Sequence, residues 1–76
     1  MKKIDCLGLR CPLPIIRISQ EIDKVAVGSQ LILLSDDPAT WPDLQAWARM
    51  TGNHVQQRDT AEFSVVRQNQ SGLNGH

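Results

Sequence analysis

The segment Asp5-Cys6-Leu7-Gly8-Leu9-Arg10-Cys11-Pro12-Leu13-Pro14 restricts the fold of this chain more than any other. Proline fits the first turn of an α-helix and little beyond it, so two prolines ahead of an amphipathic run fix where a helix starts. The run that follows places Ile15, Ile18, Ile22 and Val25 on one stripe and keeps Arg17, Gln20, Glu21 and Lys24 off it. A helix over residues 12–25 is expected, with Cys11 at its N-terminal boundary. Backbone N–H groups without intrahelical partners and the positive end of the helix dipole both favour an anion there, and a thiolate is the anion a cysteine supplies. Pro12 turns Cys11 away from the α region, and Arg10 adds a fixed positive charge beside it. The expectation is a partly exposed, nucleophilic thiol at Cys11 that titrates below the roughly 8.5 of a free cysteine. The competing reading, a cysteine that packs as a small hydrophobe, fits a helix end poorly.

The remaining chain reads as the support for that segment. Residues 3–6 alternate, Ile4 and Cys6 against Lys3 and Asp5, which predicts a short first strand with Cys6 facing the core. Gly28 precedes the apolar run Gln30-Leu31-Ile32-Leu33-Leu34-Ser35, which has the length and character of a central strand. Thr40-x-x-Asp43 resembles a capping box, and Leu44, Trp47, Ala48 and Thr51 give a second helix its apolar stripe before Gly52-Asn53 closes it. Asp36-Asp37-Pro38 is read as turn and cap chemistry rather than as a pair of catalytic carboxylates. Residues 54–59 and 62–67 make two strands around a turn at Thr60-Ala61, with Phe63 and Val65 on one face. Trp47 is assigned to the core, and no role falls to Trp41, His54 or His76.

The order strand, helix, strand, helix, strand, strand makes the first three strands parallel and puts both helices on one side of the sheet. The expected fold is therefore a two-layer α/β sandwich, βαβαββ, with two helices on one face of a four-stranded mixed sheet. Its open face should carry either Leu31 with Leu33 or Ile32 with Leu34, and exposed apolar area of that kind marks a docking site. Residues 1–67 form the single domain, and the polar residues 68–76, with Gly72 and Gly75, are expected to be a disordered tail.

Composition closes off several functions. A chain of 76 residues holds one modest core, burying only about 60% of its unfolded surface. Eight basic and eight acidic residues cancel, so the chain lacks the field that holds a nucleic-acid backbone, and its single Phe offers little for stacking. No apolar run approaches membrane length and no leader is visible, which predicts a cytoplasmic protein. Two cysteines spaced Cys-x4-Cys, with only two histidines, supply neither the number nor the spacing of ligands for a zinc site. No metal or other cofactor is expected.

The motif from Asp5 to Pro14, with Asp36-Asp37-Pro38-Ala39-Thr40, Asp43-Leu44-Gln45-Ala46-Trp47 and Thr51-Gly52, resembles the TusA (SirA-like) family of small sulfur-carrier proteins over roughly residues 3–67. Cys-Pro-x-Pro is specific when it follows Gly-Leu-x and opens the first helix; alone it is weak. The resemblance implies a βαβαββ sandwich and a cytoplasmic sulfurtransferase whose Cys11 accepts sulfur as a persulfide and passes it on. It also implies a donor protein, a cysteine desulfurase or a rhodanese-like protein, and an acceptor, with tRNA 2-thiolation or other sulfur trafficking as the destination. Cys11 is the one residue to which the resemblance gives a catalytic role, and a monomer is expected. Two rivals remain: a thiol-disulfide switch using both Cys6 and Cys11, and a regulatory interaction module without chemistry. Removing residues 68–76 should leave the melting temperature unchanged, because that segment has almost nothing to bury; a clear fall on truncation would assign the tail a place in the fold.

Overall fold

The computed structural model describes residues 2–68. Its elements are β1 (Lys2–Asp5), α1 (Leu13–Ile22), β2 (Gln30–Leu34), α2 (Thr40–Thr51), β3 (His54–Asp59) and β4 (Glu62–Val66), the expected order. β1 and β2 pair in parallel, from Lys2 opposite Leu31 to Asp5 opposite Leu34. β4 runs antiparallel to both β2 and β3, giving the sheet order β1-β2-β4-β3. The helical crossovers do keep the first three strands in one direction. The α2 crossover leaves a space one strand wide, and the tight turn at Thr60-Ala61 brings β4 back into it.

Strand alternation then sorts the side chains. Ile4, Leu31, Leu33, Phe63 and Val65 face the helices and meet Ile18 and Ile22 of α1 and Leu44 of α2, with Cys6 fully buried among them. Trp41, in the first turn of α2, lies over Phe63 with ring centroids 5.7 Å apart and planes 18° from parallel, an offset aromatic pair that fastens α2 to the sheet. The other face carries Ile32 and Leu34, the second of the two alternatives. It is not a bare apolar patch: Ile32 is only 1% exposed. In register it lies between Lys3 and Ser64, and the Gln30 side-chain amide donates to Ser64 Oγ at 2.6 Å.

Both helix ends differ from the simplest reading. α1 stops at Ile22, short of Val25, where Lys24 and Val25 donate to the carbonyls of Glu21 and Ile22 in tightened turns. Arg67, 5% exposed, reaches over that end and donates from Nη1 to the carbonyls of Asp23 and Val25, at 3.3 and 2.6 Å. A cation at a helix C-terminus complements the dipole, and no residue of the last turn of α1 supplies one. At α2 the capping box does not form. Ala39 is the N-cap, Thr40 is already helical, and the Ala39 N–H bonds to Asp37 Oδ1 at 3.0 Å. The far end is as expected, with Gly52 at φ +81° in the left-handed region and its N–H on the Ala48 carbonyl.

The Gln68 N–H donates to Asn53 Oδ1 at 3.0 Å, one residue beyond the assigned domain end. The rest of the expected tail, residues 69–76, lies outside the described residues. The two faces of β2 should respond differently to truncation. Leu33→Ala should cost about 3 kcal/mol in a denaturant titration, as a fully enclosed leucine does, and Leu34→Ala about 1 kcal/mol. Equal losses would mean that the face away from the helices is packed as tightly as the core.

Candidate functional site

Two loops meet at the carboxyl ends of the parallel strands β1 and β2, the place where open α/β sheets gather their functional groups. The first runs from Cys6 to Pro12, the second from Ser35 to Ala39. Cys6 donates its N–H to the Leu34 carbonyl at 2.8 Å, carrying the pairing one residue past the strand. The second loop then grips the first with carboxylates. Asp36 Oδ1 accepts the Gly8 N–H at 3.1 Å, and Asp37 Oδ2 accepts the Cys11 N–H at 2.7 Å. Since Asp37 Oδ1 also holds the Ala39 N–H, one carboxylate joins the start of α2 to the residue before Pro12.

Cys11 is half-buried and lies one residue outside the helix cap, because Pro12, at φ −95° and ψ 14°, takes the cap position and α1 begins at Leu13. Two nearby N–H groups are already bonded: that of Leu13 to the Arg10 carbonyl, that of Cys11 to Asp37. Around the thiol stand Asp37, Asp43 of the first turn of α2, and the Thr40 hydroxyl. Burial, then the hydrogen bond from the thiol to Asp43, then the negative charges of Asp43 and Asp37, push the Cys11 pKa up to about 11. Thr40 opposes them, since a hydroxyl donates to a thiolate. The acidic thiol expected from the helix dipole and Arg10 is therefore corrected. The Cys11 N–H is taken by the Asp37 carboxylate and the Leu13 N–H by a carbonyl, and the charge of Arg10 acts on Asp37, whose own pKa is lowered first by the N–H groups of Cys11 and Ala39. Because the folded-state pKa of Asp37 lies below that of the unfolded chain, its bonds stabilise the loop above the usual carboxylate range. That stabilisation is lost as the pH falls through it.

Cys6 is buried as expected, with its pKa raised chiefly by desolvation, and both cysteines are free. The capping-box pair serves otherwise: the Thr40 hydroxyl is hydrogen-bonded to that of Ser35 at 2.6 Å, and both Asp43 and Thr40 act on the Cys11 thiol electrostatically. Asp36 and Asp37 keep the turn chemistry assigned to them but spend it on the cysteine loop. The acid pair directly after an apolar strand, at the carboxyl end of the sheet, was the available signal. An open apolar groove of about 320 Å³ leads away from the site between the helices, lined by Pro12, Ile15, Asp43, Ala46, Trp47 and Met50. Trp47 is thus at the groove wall as well as against the core.

A model of the sulfurtransferase TusA family matches residues 2–67. The chain belongs to the TusA family. A relative from Archaeoglobus fulgidus, named as a candidate sulfur carrier protein, is 33% identical over 67 residues, covering 88% of this chain and 87% of its own. A crystal structure of a SirA-like protein from Desulfitobacterium hafniense superposes with a TM-score of 0.76 at 27% identity, covering 91% of this chain and all of that one. TusA membership and this fold agree with the resemblance read from Cys-Pro-x-Pro. Among the described residues no helix is long and apolar enough to cross a membrane.

Asp43→Asn should lower the Cys11 pKa from about 11 toward the ordinary thiol value, since the amide removes a negative charge and leaves only a weaker, neutral acceptor for the thiol proton. Alkylation of Cys11 at pH 7 should then speed up about tenfold for each unit of the fall. An unchanged rate–pH profile in a folded variant would remove Asp43 from the site.

Proposed function

We propose that this chain is a sulfur carrier in which Cys11 accepts a sulfur atom as a persulfide from a donor protein and delivers it to an acceptor. The observation that carries the reading is the position of Cys11: half-exposed, at the carboxyl ends of β1 and β2, on a loop pinned by Asp36 and Asp37, in a chain of the TusA family. A carrier must show its sulfur to two different proteins, so the thiol has to be reachable while its backbone stays fixed. The adjoining groove, lined by Pro12, Ile15, Ala46, Trp47 and the exposed Met50, supplies apolar surface on which such partners can seat. Donors of the cysteine desulfurase or rhodanese-like kind fit this role. tRNA 2-thiolation is one destination, reached through an acceptor protein because the balanced charge gives the chain no grip of its own on RNA. In this reading the carrier works in the cytoplasm, where free thiols persist.

The raised pKa does not remove the nucleophile; it makes the free carrier quiet. At a pKa of about 11, roughly one molecule in ten thousand carries the thiolate at pH 7. Reaction then waits for a donor that supplies a persulfide at the right distance and lowers the local negative potential. The disulfide switch is disfavoured because Cys6 has 0% exposure and belongs to the core, so pairing it with Cys11 would open the fold.

Mutation should separate the two cysteines. After incubation with a cysteine desulfurase and cysteine, Cys11→Ser should fold cooperatively and show no added sulfur by intact mass. Cys6→Ser should lose about 1–3 kcal/mol of stability by placing a hydroxyl in the core, and still gain one reducible sulfur. A folded Cys6→Ser that fails to load would replace the single-thiol carrier with a two-cysteine relay.

A further inference from the structure

We propose that the free edge of β3 and the outer flank of α2 form a docking groove for an extended, acidic segment of a partner protein, which adds to the sheet as a fifth strand. The proposal goes beyond the carrier reading, since it needs neither Cys11 nor sulfur. An open groove of about 470 Å³ runs between Trp41, Gln45 and Arg49 of α2 and His54 and Val55 of β3. At 100° per residue those helical positions share one side of α2, opposite the side from which Asp43, Ala46 and Met50 line the groove beside Cys11. No residue of the Cys6-to-Pro12 loop borders it, so an occupant leaves the thiol open.

The backbone of β3 supplies the hydrogen bonds. In an antiparallel pair alternate residues bond the neighbouring strand, here β4, and the N–H and C=O groups of the others point outward. β3 ends the sheet order β1-β2-β4-β3, so among the described residues no strand lies on that outer side. Edges are ordinarily blunted by charge, proline, bulges or shortness. β1, the other edge, is guarded in this way: it has four residues, and Lys2, Lys3 and Asp5 carry charge. In β3 the guards stand only at the hairpin end, where the register shifts between Gln57 and Asp59 and Arg58 pairs with Glu62. Residues 54–57, beside the groove, contain no lysine, arginine, acid or proline.

The helix side of the groove states what the added strand must carry. Trp41 is half-buried, stacked on Phe63 and open to the groove, the kind of aromatic surface that anchors an interface. Arg49 is exposed, has no ion-pair or hydrogen-bond partner among the described residues, and shares the lining with no acid. The occupant therefore brings the acid. Trp41 and Arg49 are eight positions apart on α2, about 12 Å at a rise of about 1.5 Å per residue, and a strand rising about 3.3 Å per residue spans that in about four residues. Four is an even number, so both side chains fall on one face of the strand. The fitting segment has an apolar residue over Trp41 and an aspartate or glutamate four positions away at Arg49, with main-chain pairing to β3 between them. Residues 69–76 have no acidic side chain and do not meet this description.

The probe is a phage-displayed library of random seven-residue peptides panned against the full chain, with the selected sequences resynthesised and titrated. They should carry an apolar residue and an acid four positions apart, and on binding they should slow exchange of the outward-facing amides of residues 54–57 while leaving Lys2–Asp5 unchanged. Arg49→Glu, a change at an exposed position, should weaken them about threefold, the size of an exposed ion pair. Replacing the peptide's acid with lysine should restore binding to that variant and not to the unaltered chain. Failure to select any peptide, selection without the acid, or indifference to Arg49→Glu overturns the proposal. Shielding of the same amides in the chain alone also overturns it: a sedimenting dimer then assigns the edge to a second copy, and a monomer assigns it to residues 69–76. Cys11→Ser should bind the peptides as the unaltered chain does, and Arg49→Glu should still load sulfur from a desulfurase by intact mass, so the groove and the persulfide reading are decided separately.

Discussion

The Asp37 carboxylate is the interaction on which the site depends. One oxygen accepts the Cys11 N–H at 2.7 Å and the other the Ala39 N–H at 3.0 Å, so a single side chain fixes the residue ahead of α1 relative to the start of α2. Asp36 adds the Gly8 N–H at 3.1 Å to the same joint. Charge-assisted bonds to backbone N–H groups are stronger than neutral ones and hold geometry rather than merely adding contact. Without them the Cys6-to-Pro12 loop would be tied to the sheet chiefly by the Cys6 N–H on the Leu34 carbonyl. The sandwich beneath supplies the rest: parallel β1 and β2 end side by side, so the loops that follow them must meet.

Holding a thiol with carboxylates has an electrostatic consequence. The negative charges of Asp43 and of the loop-holding Asp37 disfavour a thiolate, and they outweigh the helix end, whose Leu13 N–H is already bonded and whose first residue lies two beyond the cysteine. Dipole effects fade within a turn, whereas a carboxylate in hydrogen-bond contact acts at full strength. The result suits a carrier more than an enzyme that meets small molecules. A thiol that stays protonated in solution resists stray oxidation and alkylation, and becomes nucleophilic where a partner reshapes the local potential.

Much of the architecture was legible because it follows from periodicity and punctuation. The isoleucine stripe, the prolines at the helix starts, the apolar run of β2 and Gly52 at the end of α2 each name their own local structure. Cys6 in the core followed from the strand alternation, and Cys11 at a helix boundary from Pro12 and Pro14. What could not be read was whatever joins residues distant in sequence. Thr40-x-x-Asp43 satisfies the local pattern of a capping box, yet the helix starts one residue earlier than that pattern requires, with Ala39 as the N-cap, and the Thr40 hydroxyl bonds to Ser35 instead. Arg67, a strand-end residue in sequence, closes the end of α1 more than forty residues away.

The sequence by itself determined the element order, the placement of Cys11 ahead of the first helix and the family to which the motif belongs, since short-range steric and hydrophobic patterns suffice for all three. Tertiary structure decided the insertion of β4 between β2 and β3 and the company kept by the thiol. Strand insertion depends on which edge the final hairpin finds open, a long-range choice. The acidity of Cys11 depends on charges brought within a few ångströms by residues 26 to 32 positions further along the chain, Asp37 and Asp43. Electrostatic energy varies with distance in space and with burial, and neither quantity is written in the order of the residues.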